Sequence, residues 1–160
     1  MTLQEYLNSI RKKTVAVVGI GVSNEPLIRM LLGEGIAVTA CDKRTREQLG
    51  ELAGELERLG ARLQLGEDYL EGLDQNIIFR TPGLRPDVPQ LAKAVAQGSE
   101  LTSEMEVFFQ VCPCPIIAVT GSDGKTTTTT IIAELLKKAG YSVHVGGNIG
   151  HPLLCEAGSM

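Results

Sequence analysis

Residues 14–23, TVAVVGIGVS, join a short run of β-branched residues directly to a glycine-rich turn. A continuous apolar run of this length predicts a strand that is buried on both faces, as in a parallel sheet. Pro26 fits the first turn of a helix after the glycines, and residues 36–41 have the pattern of a second buried strand that ends at Asp42. A strand, a helix and a strand in this order predict a parallel α/β unit.

The same alternation continues further along the chain. Leucines recur at spacings of three and four within residues 45–60, which predicts a single amphipathic helix. Further strands are predicted at residues 62–65 and 76–80, and a short helix is predicted at 91–97, after a proline-containing loop at 81–89. Strands that alternate with helices in this way extend the predicted parallel sheet.

A second α/β pattern starts after a proline-containing link. Residues 112–115 (CPCP) form a stiff link that is poor in backbone donors, and residues 115–119 (PIIAV) predict a new buried strand. A turn, a helix over roughly 126–139 and a strand near 142–145 follow. The predicted fold class is therefore α/β throughout. Two domains are predicted, over residues 1–98 and 99–160.

Composition excludes several classes of partner. The 15 lysines and arginines are outnumbered by 19 aspartates and glutamates, which gives a net charge of -4. This balance argues against broad binding to nucleic acids or anionic membranes, because both need a concentrated basic face. The longest apolar runs are far below the ~20 residues that cross a bilayer, and the first residues lack the profile of a signal peptide. The expected location is the cytoplasm.

The four cysteines do not predict a disulfide framework or a metal site. Cys112 and Cys114 have the spacing of a possible ligand pair, but no second pair follows at zinc spacing. We expect reduced, unpaired thiols, with Cys41 as a small core residue.

The stronger of two phosphate-binding signals is TGSDGKTT at residues 120–127, between a predicted strand and a predicted helix. Its glycines allow consecutive backbone N–H groups to point at an anion, and the helix N-terminus adds its positive end. A lysine at this position reaches terminal phosphates, and the hydroxyl after it is a Mg²⁺ ligand. The general pattern has glycine where Val119 stands, so a glycine-rich turn with a surface lysine is the alternative.

The weaker signal is the glycine turn at residues 19–24. A dinucleotide-binding fingerprint has glycine or alanine at the position of Asn24. Asp42 stands where a ribose-binding acid belongs, but Lys43 and Arg44 follow it, and two cations suit a phosphorylated ligand better. A merely structural turn is the alternative at this position.

Together, five segments resemble the Mur ligases, the ATP-dependent amide ligases of peptidoglycan precursor synthesis. The matching segments, in the family's order, are 19–23 (GIGVS), 81–83 (TPG), 104–108 (EMEVF), 117–127 (IAVTGSDGKTT) and 146–150 (GGNIG). The family's phosphate loop has the shorter T-G-x-x-G-K-[ST]-T form, which Val119 fits. Asn24 departs from the family's glycine, and His151, a candidate for contact with a ligand, stands where many relatives carry an apolar residue.

The resemblance implies a Rossmann-like parallel-sheet N-terminal domain that holds the uridine diphosphate part of a sugar substrate. It also implies the first strand, P-loop, helix and strand of a second α/β domain that binds ATP. The implied substrate contacts are Gly21, Val22, Ser23, Lys43, Arg44, Gly83 and Asn148. The implied ATP contacts are Gly121, Ser122, Asp123, Gly124, Lys125, Thr126 and Thr127. Of these, Lys125 and Thr126 are implied to be catalytic, the lysine at the β,γ-phosphates and the threonine as a Mg²⁺ ligand.

The substrates implied by the resemblance are UDP-N-acetylmuramoyl-L-alanine and D-glutamate, which are joined through an acyl phosphate at the expense of ATP. Members of the family have three domains, so we expect these 160 residues to be a truncated piece that does not catalyse alone. An uncovered edge near residues 143–149 would then be open to a second copy of the chain.

Three other functions are compatible with parts of the sequence. An NAD(P)-dependent oxidoreductase would use the turn at 19–24 and Asp42, but it leaves the loop around Lys125 unexplained. A non-catalytic module that binds a UDP-sugar or ATP would need only the binding residues. A sister Mur ligase would add another amino acid, although residues 104–109 and 146–150 look more like the D-glutamate branch.

Overall fold

The computed structural model of the protein describes residues 1–147 and 152–160. Helices and strands alternate along most of the chain. In chain order the elements are α1 (Leu3–Ile10), β1 (Thr14–Val18), α2 (Asn24–Gly33), β2 (Ala37–Asp42), α3 (Arg46–Leu49), α4 (Glu51–Arg58), β3 (Arg62–Leu65), β4 (Ile77–Arg80), α5 (Pro89–Ala96), β5 (Glu100–Thr102), α6 (Glu104–Val111), α7 (Lys125–Lys138) and a short 3-10 helix (Leu154–Ser159). Among the described residues no helix is long and apolar enough to cross a membrane.

A five-stranded parallel sheet organises the molecule, with strand order β3-β2-β1-β4-β5. The central strand β1 is buried on both faces, because Val15 and Val17 pack into one apolar cluster and Ala16 and Val18 into another. This arrangement confirms the predicted α/β class and explains the uninterrupted apolar run of β1.

The single helix predicted over residues 45–60 is wrong. The structure has two helices, α3 and α4, that are separated at Gly50. Gly50 has φ +59 and ψ -132, a conformation that glycine adopts readily and other residues do not. The leucine stripe is correspondingly incomplete, because Leu49 and Leu56 are buried whereas Leu59 is 49% exposed.

The first sheet continues past residue 98, where the sequence predicts the end of the first domain. Strand β5 pairs with β4, and α6 places Val107, Phe108 and Val111 in the same core as β1. The sequence signal for β5 is weak because the strand has only three residues. The N-cap of α6 is Ser103, whose side chain accepts a hydrogen bond from the amide of Glu106.

The two strands predicted at residues 115–119 and 142–145 are not formed in the described part of the chain, whereas the helix between them is present as α7. A strand is stable only beside another strand, and the five-stranded sheet ends at β5 without reaching these segments. The two segments instead line an open apolar groove of about 520 Å³ with α6 and α7. Ile117 on its rim is 60% exposed.

A buried carboxylate holds the last residues of the chain to the first core. Glu104 Oε1 accepts a hydrogen bond of 2.6 Å from the amide of Leu154, and both residues are buried. Burial raises the pKa of Glu104, and the Leu154 amide partly offsets that rise. Leu153, Leu154 and Ala157 join the apolar cluster beneath α2 and α6.

The helix break at Gly50 leads to a prediction with a matched control in the neighbouring helix. Gly50→Ala should lower the free energy of unfolding by about 1–3 kcal/mol, because alanine is strained at this backbone conformation. Gly54→Ala, inside α4 with open space around its Cβ position, should raise it by about 0.5–1 kcal/mol. Urea unfolding measures both, and equal effects of the two substitutions would contradict this account of the break.

Candidate functional site

Two loops meet at the carboxyl edge of the sheet. The sheet order reverses between β1 and β4, and in open α/β sheets such a reversal creates a crevice where ligands bind. The glycine turn after β1 and the loop at residues 81–83 after β4 therefore flank one crevice. They touch directly: the Thr81 amide donates to Val18 O at 3.1 Å, and a Cβ added to Gly19 would lie 3.1 Å from Thr81 Cβ.

The glycine turn presents backbone donors at the start of α2. In the part of the chain that the structure describes, the amide N–H groups of Gly21, Val22 and Ser23 have no hydrogen-bond acceptor. The Ser23 side chain does not cap the helix. Unpaired amides at a helix N-terminus bind anions. These three residues, which the resemblance implies line the pocket for the uridine diphosphate part of a substrate, present unpaired donors at a helix N-terminus.

Asn24 has a structural role that the sequence did not reveal. It is 3% exposed, and its Nδ2 donates to Val18 O at 3.1 Å and to Gly19 O at 2.9 Å. The side chain is therefore directed at the end of β1 rather than into the crevice. Its amide holds the glycine turn to the strand, which accounts for the departure from glycine at this position.

Asp42 is fully engaged in bonds within the protein. Its Oδ2 accepts from the Ile20 amide at 2.7 Å and its Oδ1 from the Arg44 amide at 2.9 Å. The Arg44 guanidinium adds bonds of 3.0 and 2.9 Å to the two oxygens. Burial works to raise the pKa of Asp42, but the Arg44 side chain and the two amides outweigh it, and the pKa is lowered. An acid engaged in this way is not free to bind a ribose hydroxyl.

The cations predicted to bind a phosphorylated ligand lie beside the glycine turn. Arg44 Nη2 donates to Ile20 O at 2.5 Å, and the Arg44 side chain remains 42% exposed. Lys43 is exposed next to it, and Gly83 is exposed in the loop after β4. The structure thus brings Gly21, Arg44 and Gly83 to one edge of the sheet, while Asn148 and His151 lie outside the described residues.

The second phosphate-binding signal, the loop at residues 120–127, also ends at a helix N-terminus. Gly124, with φ +75, is the N-cap of α7 and has no side-chain cap. The first helical bond runs from the Thr128 amide to Gly124 O. Over the described ranges of the chain, none of the amides of residues 121–127 has an acceptor. The unpaired amides of Gly21–Ser23 form a first cradle of donors, and those of residues 121–127 form a second cradle that phosphate groups fit.

The side chains of this loop fit a nucleotide with its magnesium ion. Lys125 Nζ donates to Gly121 O at 2.5 Å and Ser122 O at 3.3 Å, so the ammonium lies directly over the loop. The hydroxyls of Thr129 and Thr130 bond to carbonyls one helical turn earlier. Thr126 is exposed at the start of the helix, and a hydroxyl at that position is a Mg²⁺ ligand in loops of this type. The donor set therefore fits ATP and Mg²⁺.

The bonds of Asp42 lead to a stability prediction. Asp42→Asn replaces one carboxylate oxygen with an NH₂ group that cannot accept from a backbone amide or a guanidinium. The free energy of unfolding should fall by about 1–3 kcal/mol at neutral pH. Because the folded pKa is lowered, this contribution is present above the ordinary pKa of 3.8 and is lost as the pH falls through the folded pKa.

Urea unfolding at several pH values tests this expectation. The difference between wild type and Asp42→Asn should shrink as the pH falls below 3.8. Asp87→Asn is the control, because Asp87 pairs with Arg85 on an exposed surface and exposed pairs contribute little. A difference that stays constant down to strongly acidic pH would contradict the assigned bonds.

The chain is similar to known proteins over almost all of its length. The profile of the Mur ligase middle domain matches residues 119–157. A UDP-N-acetylmuramoylalanine–D-glutamate ligase from Ruminiclostridium cellulolyticum is 54% identical over 155 residues, which are 96% of this chain and 33% of that protein. The enzyme of the same name from Clostridium botulinum is 52% identical over 157 residues, 98% of this chain and 34% of that protein.

Solved structures share the fold. A murein peptide ligase from Psychrobacter arcticus aligns with a TM-score of 0.51 and 24% identity, over 80% of this chain and 27% of that chain. A UDP-N-acetylmuramate–alanine ligase from Thermotoga maritima gives the same TM-score and identity, over 79% of this chain and 30% of that chain. At this identity the likeness concerns the fold alone.

The chain spans about a third of the length of the curated relatives it matches. Over that third, identity of 52–54% extends through both phosphate-binding loops. The fold and the sequence relatives both match Mur ligases, and the chain belongs to the Mur ligase family.

Proposed function

We propose that this chain carries the UDP-sugar site and the ATP-phosphate site of a ligase that adds D-glutamate to UDP-N-acetylmuramoyl-L-alanine. The observation that carries the proposal is the presence of two separate cradles of unpaired amides, each at a helix N-terminus and each beside a cation. Two cradles fit a reaction in which two phosphorylated compounds must be bound together. The identity to D-glutamate ligases over nearly the whole chain supports the choice of substrates.

The first cradle binds the diphosphate of the sugar nucleotide. The amides of Gly21–Ser23 donate to phosphate oxygens, and Arg44 and Lys43 neutralise their charge. Arg44 is held in place by Asp42, so its guanidinium reaches the ligand with little loss of rotamer freedom. Gly83 and Asn148 complete the proposed contacts with this substrate.

The second cradle binds the phosphates of ATP. The amides of residues 121–127 surround the phosphate tail, and Lys125 exchanges its bonds to Gly121 and Ser122 carbonyls for bonds to the β,γ-phosphates. Thr126 would hold Mg²⁺ through its hydroxyl, and the metal would supply positive charge beside the phosphates during phosphoryl transfer. The task of these side chains is positioning and charge neutralisation, not covalent chemistry.

Phosphoryl transfer makes chemical sense for amide formation. A carboxylate is a poor electrophile, and its conversion to an acyl phosphate supplies a good leaving group. The amine of D-glutamate then attacks the carbonyl carbon, phosphate leaves, and an amide forms. We place this reaction in the cytoplasm. The absence of substrate turnover by these 160 residues alone remains a prediction.

The oxidoreductase alternative is disfavoured by Asp42. That reading needs a free acid for a ribose hydroxyl, and both oxygens of this carboxylate are engaged within the protein. It also gives no role to the second cradle. A nucleotide-binding module without catalysis would use the same contacts. Nucleotide binding therefore tests the two sites, and only a turnover assay distinguishes a ligase from such a module.

Substitution of Lys125 should separate the two sites. Lys125→Ala removes a charge-assisted contact, and we expect ATP affinity to fall roughly 10- to 100-fold while UMP affinity stays unchanged. Isothermal titration calorimetry with each nucleotide measures this. Lys137→Ala, an exposed lysine in the last turn of α7, is the control and should leave both affinities unchanged. An equal loss of ATP affinity in both variants would contradict the site.

Substitution of Arg44 should give the reverse result. Arg44→Ala should weaken UMP or UDP about tenfold or more and leave ATP affinity unchanged, because the guanidinium lies only at the first cradle. Arg85→Ala removes an exposed arginine paired with Asp87 and is the control. Urea unfolding in parallel separates lost binding from lost stability, since Arg44 also braces Asp42. Tight NADH binding without any UMP binding would favour the oxidoreductase.

A further inference from the structure

The link between α6 and the second phosphate loop contains two thiols, Cys112 and Cys114. The amide of Cys112 donates to Phe108 O at 2.9 Å as the last helical bond of α6. Because Phe108 is buried in the first core, Cys112 is fixed on the core. Cys114 lies two residues further on, and both cysteines line the groove.

The two sulfur atoms are already in contact. Cys112 Sγ and Cys114 Sγ are 3.5 Å apart, and Cys112 Sγ is 3.4 Å from Cys114 O. A disulfide bond is about 2.0 Å long, so a shift of about 1.5 Å, within reach of a side-chain rotation, brings the sulfurs to bonding distance. Cys114 is exposed and Cys112 is half-buried, so a small reagent reaches the pair from solvent.

The other two thiols are poorly suited to the same chemistry. Cys41 is buried, and burial raises its pKa to about 12. Burial likewise raises the pKa of Cys155 to about 11. The hydrogen bond with Cys112 raises the pKa of Cys114 as well, so proximity rather than thiol acidity distinguishes this pair. Two thiols in contact resolve a mixed disulfide within the molecule, which a single thiol cannot do.

Metal binding is the other chemistry open to a pair of thiols. Structural zinc sites use four ligands, and within residues 1–147 and 152–160 no group of three or more histidine, cysteine, aspartate or glutamate side chains is arranged to hold a metal ion. Two sulfur ligands alone leave such an ion half-coordinated. Thiol–disulfide exchange needs two sulfurs and no further ligand.

We propose that Cys112 and Cys114 form a reversible intramolecular disulfide, with a low-molecular-weight disulfide as the oxidant. One thiolate attacks the oxidant, forms a mixed disulfide and releases one molecule of reduced thiol. The second thiolate then attacks the protein sulfur of that mixed disulfide, closes the ring and releases the second reduced thiol. The protein sulfurs lose two electrons, the oxidant gains them, and both protons leave with the released thiols. The closed ring fixes the direction in which the chain leaves α6.

Thiol mapping of the native chain tests the site. The reduced protein is incubated with oxidised glutathione, alkylated with iodoacetamide under denaturing conditions, digested with trypsin and analysed by mass spectrometry. The tryptic peptide between Lys93 and Lys125 contains Cys112 and Cys114 and no other cysteine. We expect this peptide to lose both alkylation sites without gaining glutathione, and dithiothreitol to restore both sites.

Matched variants distinguish ring closure from ordinary oxidation. Cys112→Ser should leave glutathione attached at Cys114, because no second thiol is present to resolve the mixed disulfide. The double variant Cys41→Ser/Cys155→Ser should close the ring as the wild type does. Ring closure should also be faster in the native chain than in urea, because the fold holds the sulfurs together.

Three results would overturn the proposal. They are stable glutathione on Cys114 of the wild type, a disulfide between two chains, and ring closure that is no faster in the native chain than in urea. Each would show that the observed contact between the sulfurs does not promote an internal disulfide.

Discussion

The candidate binding edge of the sheet depends on the hydrogen bonds made at the carboxyl end of β1. Val18 O accepts hydrogen bonds from the Thr81 amide and from Asn24 Nδ2. These bonds fix the neighbouring loop and the start of α2 against the same strand. Within the glycine turn, the Gly19 and Ile20 amides are paired with Cys41 O and Asp42 Oδ2. The amides of Gly21, Val22 and Ser23 have no acceptor in the portion of the chain described by the structure, and they form the first cradle beside this anchored strand end.

The two cradles share backbone geometry but differ in their cations. Arg44 is a planar group held by two carboxylate oxygens of Asp42, which suits a fixed diphosphate. Lys125 is a point charge on a flexible stem that bonds to two loop carbonyls, which suits a phosphate whose charge changes during a reaction. The difference between a preorganised guanidinium and a flexible ammonium fits the different tasks proposed for the two sites.

Much of this architecture follows from local sequence. The uninterrupted apolar run of β1 predicted a strand buried on both faces, and the glycines beside Lys125 predicted a turn into a helix. Local patterns did not reveal the role of Asn24, because its partners are carbonyl groups whose positions depend on the folded turn. The single helix predicted over residues 45–60 was wrong for a similar reason. The leucine spacing continues through Gly50, but the backbone conformation of Gly50 ends the first helix. The strands predicted at residues 115–119 and 142–145, both inside the ranges that the structure describes, are not formed. A strand needs a neighbouring strand, and local periodicity does not show whether one is present.

The hydrogen bond between Glu104 and Leu154 spans 50 positions of the chain. Bringing its ends together costs chain entropy, and that cost rises slowly with the length of the loop. The five strands of the sheet lie before residue 103, so during synthesis they leave the ribosome before Leu154 does. The 3-10 helix Leu154–Ser159 therefore has its binding surface made ahead of it, and the Glu104 carboxylate fixes the Leu154 amide on that surface.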